Sequence, residues 1–140
     1  MKFEEVRKRI EEQERIWNEL KARAEKDPRR RYFWQIIKQG IVVTFYSFEL
    51  HVEGKTYAHK EFLKSKSFTW DRGFRAWIKK YKNLREQLNE IQEIVNYFKK
   101  QGIKVFFRVS WQDVVRMIKQ GIVKIENVRT WDYEFYTFEM

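Results

Sequence analysis

The chain has 140 residues, with 30 Lys or Arg against 20 Asp or Glu and a formal net charge of +10. Hydrophobic residues make up 43% and aromatic residues 18%, enough apolar surface to offset ordering entropy, which excludes a disordered tail. The lack of cysteine excludes disulfides, thiol nucleophiles and cysteine zinc sites, and no apolar run approaches a membrane span.

This length suits one domain over residues 1–140, with 1–27 as a helical arm and 28–140 as an α+β body. The expected fold is α+β: a mostly antiparallel sheet packed with amphipathic helices behind a long N-terminal helix. Acids interrupt Met1-Lys2-Phe3-Glu4-Glu5 at once, so it does not read as a signal peptide, and the expected place is inside a cell with no membrane partner. Abundant Lys, Arg and Glu is the bias of proteins from hot environments. A strongly basic balance raises the expectation of a polyanionic partner without naming it.

Residues 2–26 predict one long helix. Phe3, Val6, Ile10, Gln13, Trp17, Leu20 and Ala24 alternate at spacings of three and four, the seam of a coiled coil or helical hairpin. Such a seam packs on its own domain or on a second copy, so a homodimer through this helix is expected. Asp27-Pro28 ends the helix and starts another, because the residue before proline avoids the helical region while Asp suits an N-cap. Arg29, Arg30 and Arg31 at that start oppose the helix dipole, which an anionic partner or simple solvation would explain. Tyr32, Phe33, Ile36 and Ile37 give this second helix an apolar face before Gly40.

Three near-copies then mark the chain: Lys38-Gln39-Gly40-Ile41, Lys100-Gln101-Gly102-Ile103 and Lys119-Gln120-Gly121-Ile122. Each predicts a helix closed by a left-handed glycine and followed by a strand, whether by duplication or by repeated use of one cap. Residues 41–52 read as a single strand with Val42, Tyr46, Phe48, Leu50 and Val52 on one face and Ile41, Val43 and Phe45 on the other. Glu53-Gly54 is a turn, and a short helix is expected from Ala58 to Ser65. Residues 68–70 and 75–79 form a tight hairpin, with Asp71 bonding the turn backbone and Gly73 supplying positive φ. Asn83-Leu84-Arg85-Glu86 is a capping box opening a helix striped by Leu84, Leu88, Ile91, Val95 and Phe98. Ile103, Val105, Phe107, Val109 and Trp111 alternate as a half-buried strand. A short helix from Ser110 carries Val114, Val115 and Ile118 inward, and strands over 122–128 and 131–139 end the chain.

The stretch most suggestive of function runs from Lys55 to Lys82. It holds nine Lys or Arg against Glu61 and Asp71, with Tyr57, Phe62, Phe68, Trp70, Phe74, Trp77 and Tyr81 interleaved. Cations beside flat rings suit phosphates and stacked bases, and they equally suit a solvated basic surface over an aromatic core. The candidate phosphate contacts are Lys55, His59, Lys60, Lys64, Lys66, Arg72, Arg75, Lys79 and Lys80, with the triple arginine upstream. Tyr57, Phe74 and Tyr81 are the candidate stacking faces, while Trp70 and Trp77, close across the hairpin, are read as core.

Residues 49–107 resemble a small module found beside helicase, primase and repair domains. The resemblance rests on Gly54-Lys55-Thr56-Tyr57, Lys60, Leu63-Lys64, Phe68-Thr69-Trp70-Asp71 and Ala76-Trp77, then a helix ending in Gly102 and the strand Ile103-Lys104-Val105. It implies a hairpin, a short helix and a second hairpin closed by tryptophan, in a module that accompanies DNA chemistry without performing it. The chain departs from it with Lys66-Ser67, where a glycine is implied before Phe68, and with a short loop from Tyr81 to Asn83.

No phosphate-binding loop, dinucleotide fingerprint or zinc spacing is present, so no cofactor, metal or catalytic residue is assigned. His51 and His59 flank the Glu53-Gly54 turn, and with Glu49 or Glu53 they would form a metal or acid–base site if the chain folded back there. The expected function is therefore nucleic-acid binding through phosphates and stacking, with low sequence specificity. An assembly protein without catalysis and a small metal-dependent nuclease are the alternatives.

Overall fold

A computed structural model of the chain describes residues 2–25, 38–132 and 134–140. The expected second helix, with Asp27-Pro28, Tyr32, Phe33, Ile36 and Ile37, lies outside the described residues. Four helices are described: α1 (Phe3–Glu25), α2 (Lys60–Ser65), α3 (Leu84–Lys100) and α4 (Trp111–Lys119). They accompany seven strands: β1 (Gly40–Tyr46), β2 (Glu49–Gly54), β3 (Thr69–Asp71), β4 (Ala76–Lys80), β5 (Lys104–Ser110), β6 (Val128–Trp131) and β7 (Phe135–Glu139). The strands form one sheet in the order β3-β4-β2-β1-β5-β7-β6, antiparallel except where β1 runs parallel to β5. The fold is α+β, as the sequence predicts.

Strand pleating sorts the residues into two faces. One face presents Ile41, Val43 and Phe45, Leu50 and Val52, Val105, Phe107 and Val109, and Tyr136 and Phe138 in register. These join one buried core with Ile91, Ile94, Val95 and Phe98 of α3, Val114, Val115 and Met117 of α4, and Leu63 of α2. The other face is also withdrawn from solvent at its centre, where Val42, Thr44, His51, Phe106 and Thr137 are buried.

The stripe on α1 divides. Ile16, Leu20 and Ala24 are buried in the core, and the Trp17 ring meets Trp111 edge-on while its Nε1 donates to the Trp111 carbonyl at 3.0 Å. Phe3, Val6 and Ile10 continue the same stripe but stand exposed.

The expected single strand over 41–52 is a hairpin. Tyr46 pairs with Glu49 across a two-residue turn at Ser47-Phe48, and Phe48 points outward at φ 63. Neither residue is a turn former of the kind such hairpins use. A side chain from α3 supplies the missing chemistry. Gln87, fully buried, donates to the carbonyls of Tyr46 (2.7 Å) and Glu49 (3.1 Å) and accepts from the Phe48 N–H (3.0 Å). Its loss would strip partners from three backbone groups, each costing about 1–3 kcal/mol where buried.

Two of the three Lys-Gln-Gly-Ile copies are the expected left-handed caps. Gly102 (φ 75) and Gly121 (φ 73) end α3 and α4, with Ile103 N–H donating to Phe98 O and Ile122 N–H to Met117 O. Gly40 is different: it opens β1 against β5, where an added Cβ would stand 2.1 Å from the Lys104 carbonyl oxygen. Close backbone approach, not a cap, requires glycine there. The same cap closes α2 without glycine, since Phe68 N–H donates to Leu63 O and Ser67 N–H to Lys64 O, with Ser67 at φ 70.

Four further expectations shift. Arg75 (φ 52), not Gly73, takes the positive φ in the β3–β4 turn, while Asp71 Oδ1 accepts the Phe74 N–H at 3.0 Å as expected. Trp111 begins a helix instead of ending a strand. No strand follows Gly121 directly; a 3-10 turn at Ile125–Asn127 precedes β6. The last strand starts at Phe135, later than the 131 expected. No helix among the described residues is long and apolar enough to cross a membrane.

Candidate nucleic-acid interface

The basic stretch builds two clefts of similar size. The first, of about 490 Å³, lies between the β3–β4 hairpin and the segment from Gly54 into α2. Trp77, on β4, is 8% exposed and forms its floor, and Trp70 directly across the hairpin is 47% exposed. Their rings meet edge-to-face with centroids 5.6 Å apart, so Trp70 is propped by Trp77 and leaves much of its surface open. Tyr57, in the 3-10 turn Tyr57–His59, lines the cleft at 82% exposure. Lys60 Nζ sits 4.8 Å from the Tyr57 ring centroid. Lys64, one helical turn on, also lines the cleft, and its side chain is more than half exposed with only a 3.8 Å contact to Glu61. No carboxylate lines this cleft.

The second cleft, of about 540 Å³, is lined by Lys79, Lys80 and Lys82 but also by Glu86, Glu90 and Glu93 of α3. Lys79 Nζ donates to both oxygens of Glu90 at 2.9 Å, and the Tyr81 hydroxyl donates to the same carboxylate at 2.9 Å. Lys66 reaches Glu93 at 2.6 Å, which holds Glu93 below the usual carboxylate range and Lys66 above the usual ammonium range. Burial, then the neighbouring Glu90 charge, raises Tyr81 far above an ordinary phenol. Tyr81 is buried and does not offer the stacking face expected of it.

The remaining expected contacts are scattered. Lys55, Arg72, Arg75 and Lys80 are exposed, the two arginines in the β3–β4 turn. Phe74 is exposed, but its ring lies edge-on to His51 at 5.2 Å, away from Tyr57. Arg29, Arg30 and Arg31 lie outside the described residues.

The two histidines do not meet. His59 Nδ1 lies 3.0 Å from the Tyr97 hydroxyl, with its ring against Tyr97 and Phe98 of α3. His51, on the opposite side of the sheet, is held between the Tyr46 and Phe74 rings with Nε2 3.1 Å from Glu49 Oε2. Glu53 shares that face near Arg108, and burial raises its pKa despite the Arg108 and His51 charges, which lower it. Among the described residues no group of three His, Asp or Glu is placed to hold a metal ion.

The residue that sequence reasoning undervalued is Trp70. Its signal was available, because a cross-strand partner of a buried Trp77 on the sheet's edge has no outer neighbour to cover it. No protein-family model, characterised protein or solved structure significantly matches the chain.

Proposed function

We propose that this chain binds nucleic acid through the Tyr57–Trp70 cleft, with Lys60 and Lys64 meeting phosphates and the rings stacking on bases. The observation that carries the reading is one cleft lined by exposed rings and two lysines with no carboxylate among its lining residues, on a chain of net charge +10. Phosphate contacts supply affinity without sequence information, and ring faces accept any base, so specificity is low. Lys55, Arg72, Arg75 and Lys80 add to the positive field around it. The reading assigns no catalytic step, cofactor or metal. A homodimer through α1 is the second part of the proposal, supported by the exposed Phe3, Val6 and Ile10 on a stripe whose later members Trp17, Leu20 and Ala24 pack on the core; sedimentation across a concentration series reads it.

Fluorescence anisotropy of labelled DNA and RNA across a salt series tests the binding. The expected result is submicromolar binding at low salt that weakens steeply as salt rises. Concentration-dependent oligomers with no affinity for any strand would replace the reading with that of an assembly protein.

A further inference from the structure

We propose that the cleft takes an unpaired base, so that the preferred ligand is a single strand, or a single-stranded segment, and not a duplex. This rests on the nucleic-acid reading above and goes beyond it by naming the form of the ligand. In a duplex the base faces are covered by their stacked neighbours, and only edges and phosphates meet the protein. The cleft offers the reverse: its exposed surface is ring, from Tyr57 at 82% and Trp70 at 47% exposure, over the buried Trp77 floor. A base reaches those rings face-on only after leaving its stack, which costs least in a strand already unpaired.

The charges fit the same occupant. Lys60 Nζ lies over the Tyr57 ring and Lys64 is one turn further along α2, so both ammonium groups border the stacking surface. A phosphate next to a base held in the cleft meets them. Lys66 and Lys79, which would extend a phosphate-tracking face, are already bound to Glu93 and Glu90, and the exposed Arg72 and Arg75 sit in the β3–β4 turn outside the cleft's lining. The rings are held for this task by different means. Trp70 leans on Trp77 across the hairpin, while Tyr57 belongs to a 3-10 turn with His59 N–H donating to the Thr56 carbonyl at 2.9 Å.

The test compares oligothymidylate, oligoadenylate and their duplex as labelled probes against the intact chain, Trp70→Ala, Tyr57→Ala, Trp70→Phe and Tyr57→Phe, each checked for folding by its melting transition. Both single strands should bind more tightly than the duplex. Each alanine variant should lose roughly ten- to a hundredfold on single strands, with little change on the duplex, and the phenylalanine variants should keep most of the affinity. Equal binding of duplex and single strands, untouched by either alanine variant, would overturn the unpaired-base assignment while leaving nucleic-acid binding in place. Failure of every probe to bind at low salt would remove the underlying reading, and this inference with it.

Discussion

The two clefts differ by little in volume and by a great deal in what they offer a ligand. Both draw lysines from the same 28-residue basic stretch. In one, Lys60 and Lys64 stand beside exposed rings; in the other, Lys79 is held by Glu90 and the lysines share the lining with three glutamates. Those glutamates come from α3, beyond the end of the stretch, so a count of charges along 55–82 treats the two sets alike. Formal charge says where a polyanion is drawn. The pairing of each cation says where it can stay. In the second cleft Lys79 and Tyr81 tie β4 to Glu90 of α3, whereas the first, open in the sense that no carboxylate lines it, is the surface proposed for nucleic acid.

Substitutions in either cleft separate a structural lysine from a binding one. Between the two clefts, the larger stability effect is expected at the second: Lys79→Ala leaves Glu90 partly buried without its ammonium partner and should lower stability by about 2 kcal/mol, read by denaturant titration, with little change in strand affinity. Next, Glu90→Gln combined with Glu93→Gln should release Lys79 and Lys66 and raise affinity several-fold at low salt, an effect that anisotropy would show fading as salt screens it. Glu53, the residue before Gly54 of the open cleft, gives a smaller effect with a definite pH sign. Its folded pKa is raised above the ordinary value, chiefly by burial, so the folded state binds the proton more readily than the unfolded chain. Stability therefore falls as pH rises through the carboxylate range into the raised folded value, and the ionised form remains a cost at neutral pH. Glu53→Gln should raise the melting temperature at pH 7 and leave it unchanged in strong acid. The smallest effect is Ser67→Gly, which relieves a left-handed serine at the α2 cap and should stabilise by about 1 kcal/mol, moving the transition midpoint without touching affinity.

Much of the fold was legible because local chemistry and tertiary structure agree. The α1 periodicity, the Asn83 cap with its side chain accepting from the Glu86 N–H, the Gly102 and Gly121 closures and the β3–β4 hairpin all follow from residues close in sequence. The β1–β2 turn was not legible, because the group that stabilises it, Gln87, lies some forty residues away. Gly40 misled for a related reason: its neighbour in space is Lys104, while its neighbours in sequence match those of two true caps. In the proposed site, Tyr57 and Lys64 are exposed and Lys60 half-buried, all three legible as members of a short turn and helix. Tyr81 and Lys79 were not distinguishable from them, since Glu90 is brought in only by the packing of α3.

The sharpest experiment removes the same charge from the lysines of the first cleft and from the two lysines bound to glutamates of α3. Lys60→Gln/Lys64→Gln and Lys66→Gln/Lys79→Gln each subtract two positive charges, and both would be titrated against one labelled single strand across a salt series. The account predicts that the first pair loses more than tenfold in affinity and that its salt slope shrinks by about 1.4, two phosphate contacts on a single strand, while the second stays within about twofold of the parent. Equal losses from the two pairs would contradict it, because affinity would then follow net charge and not the open cleft.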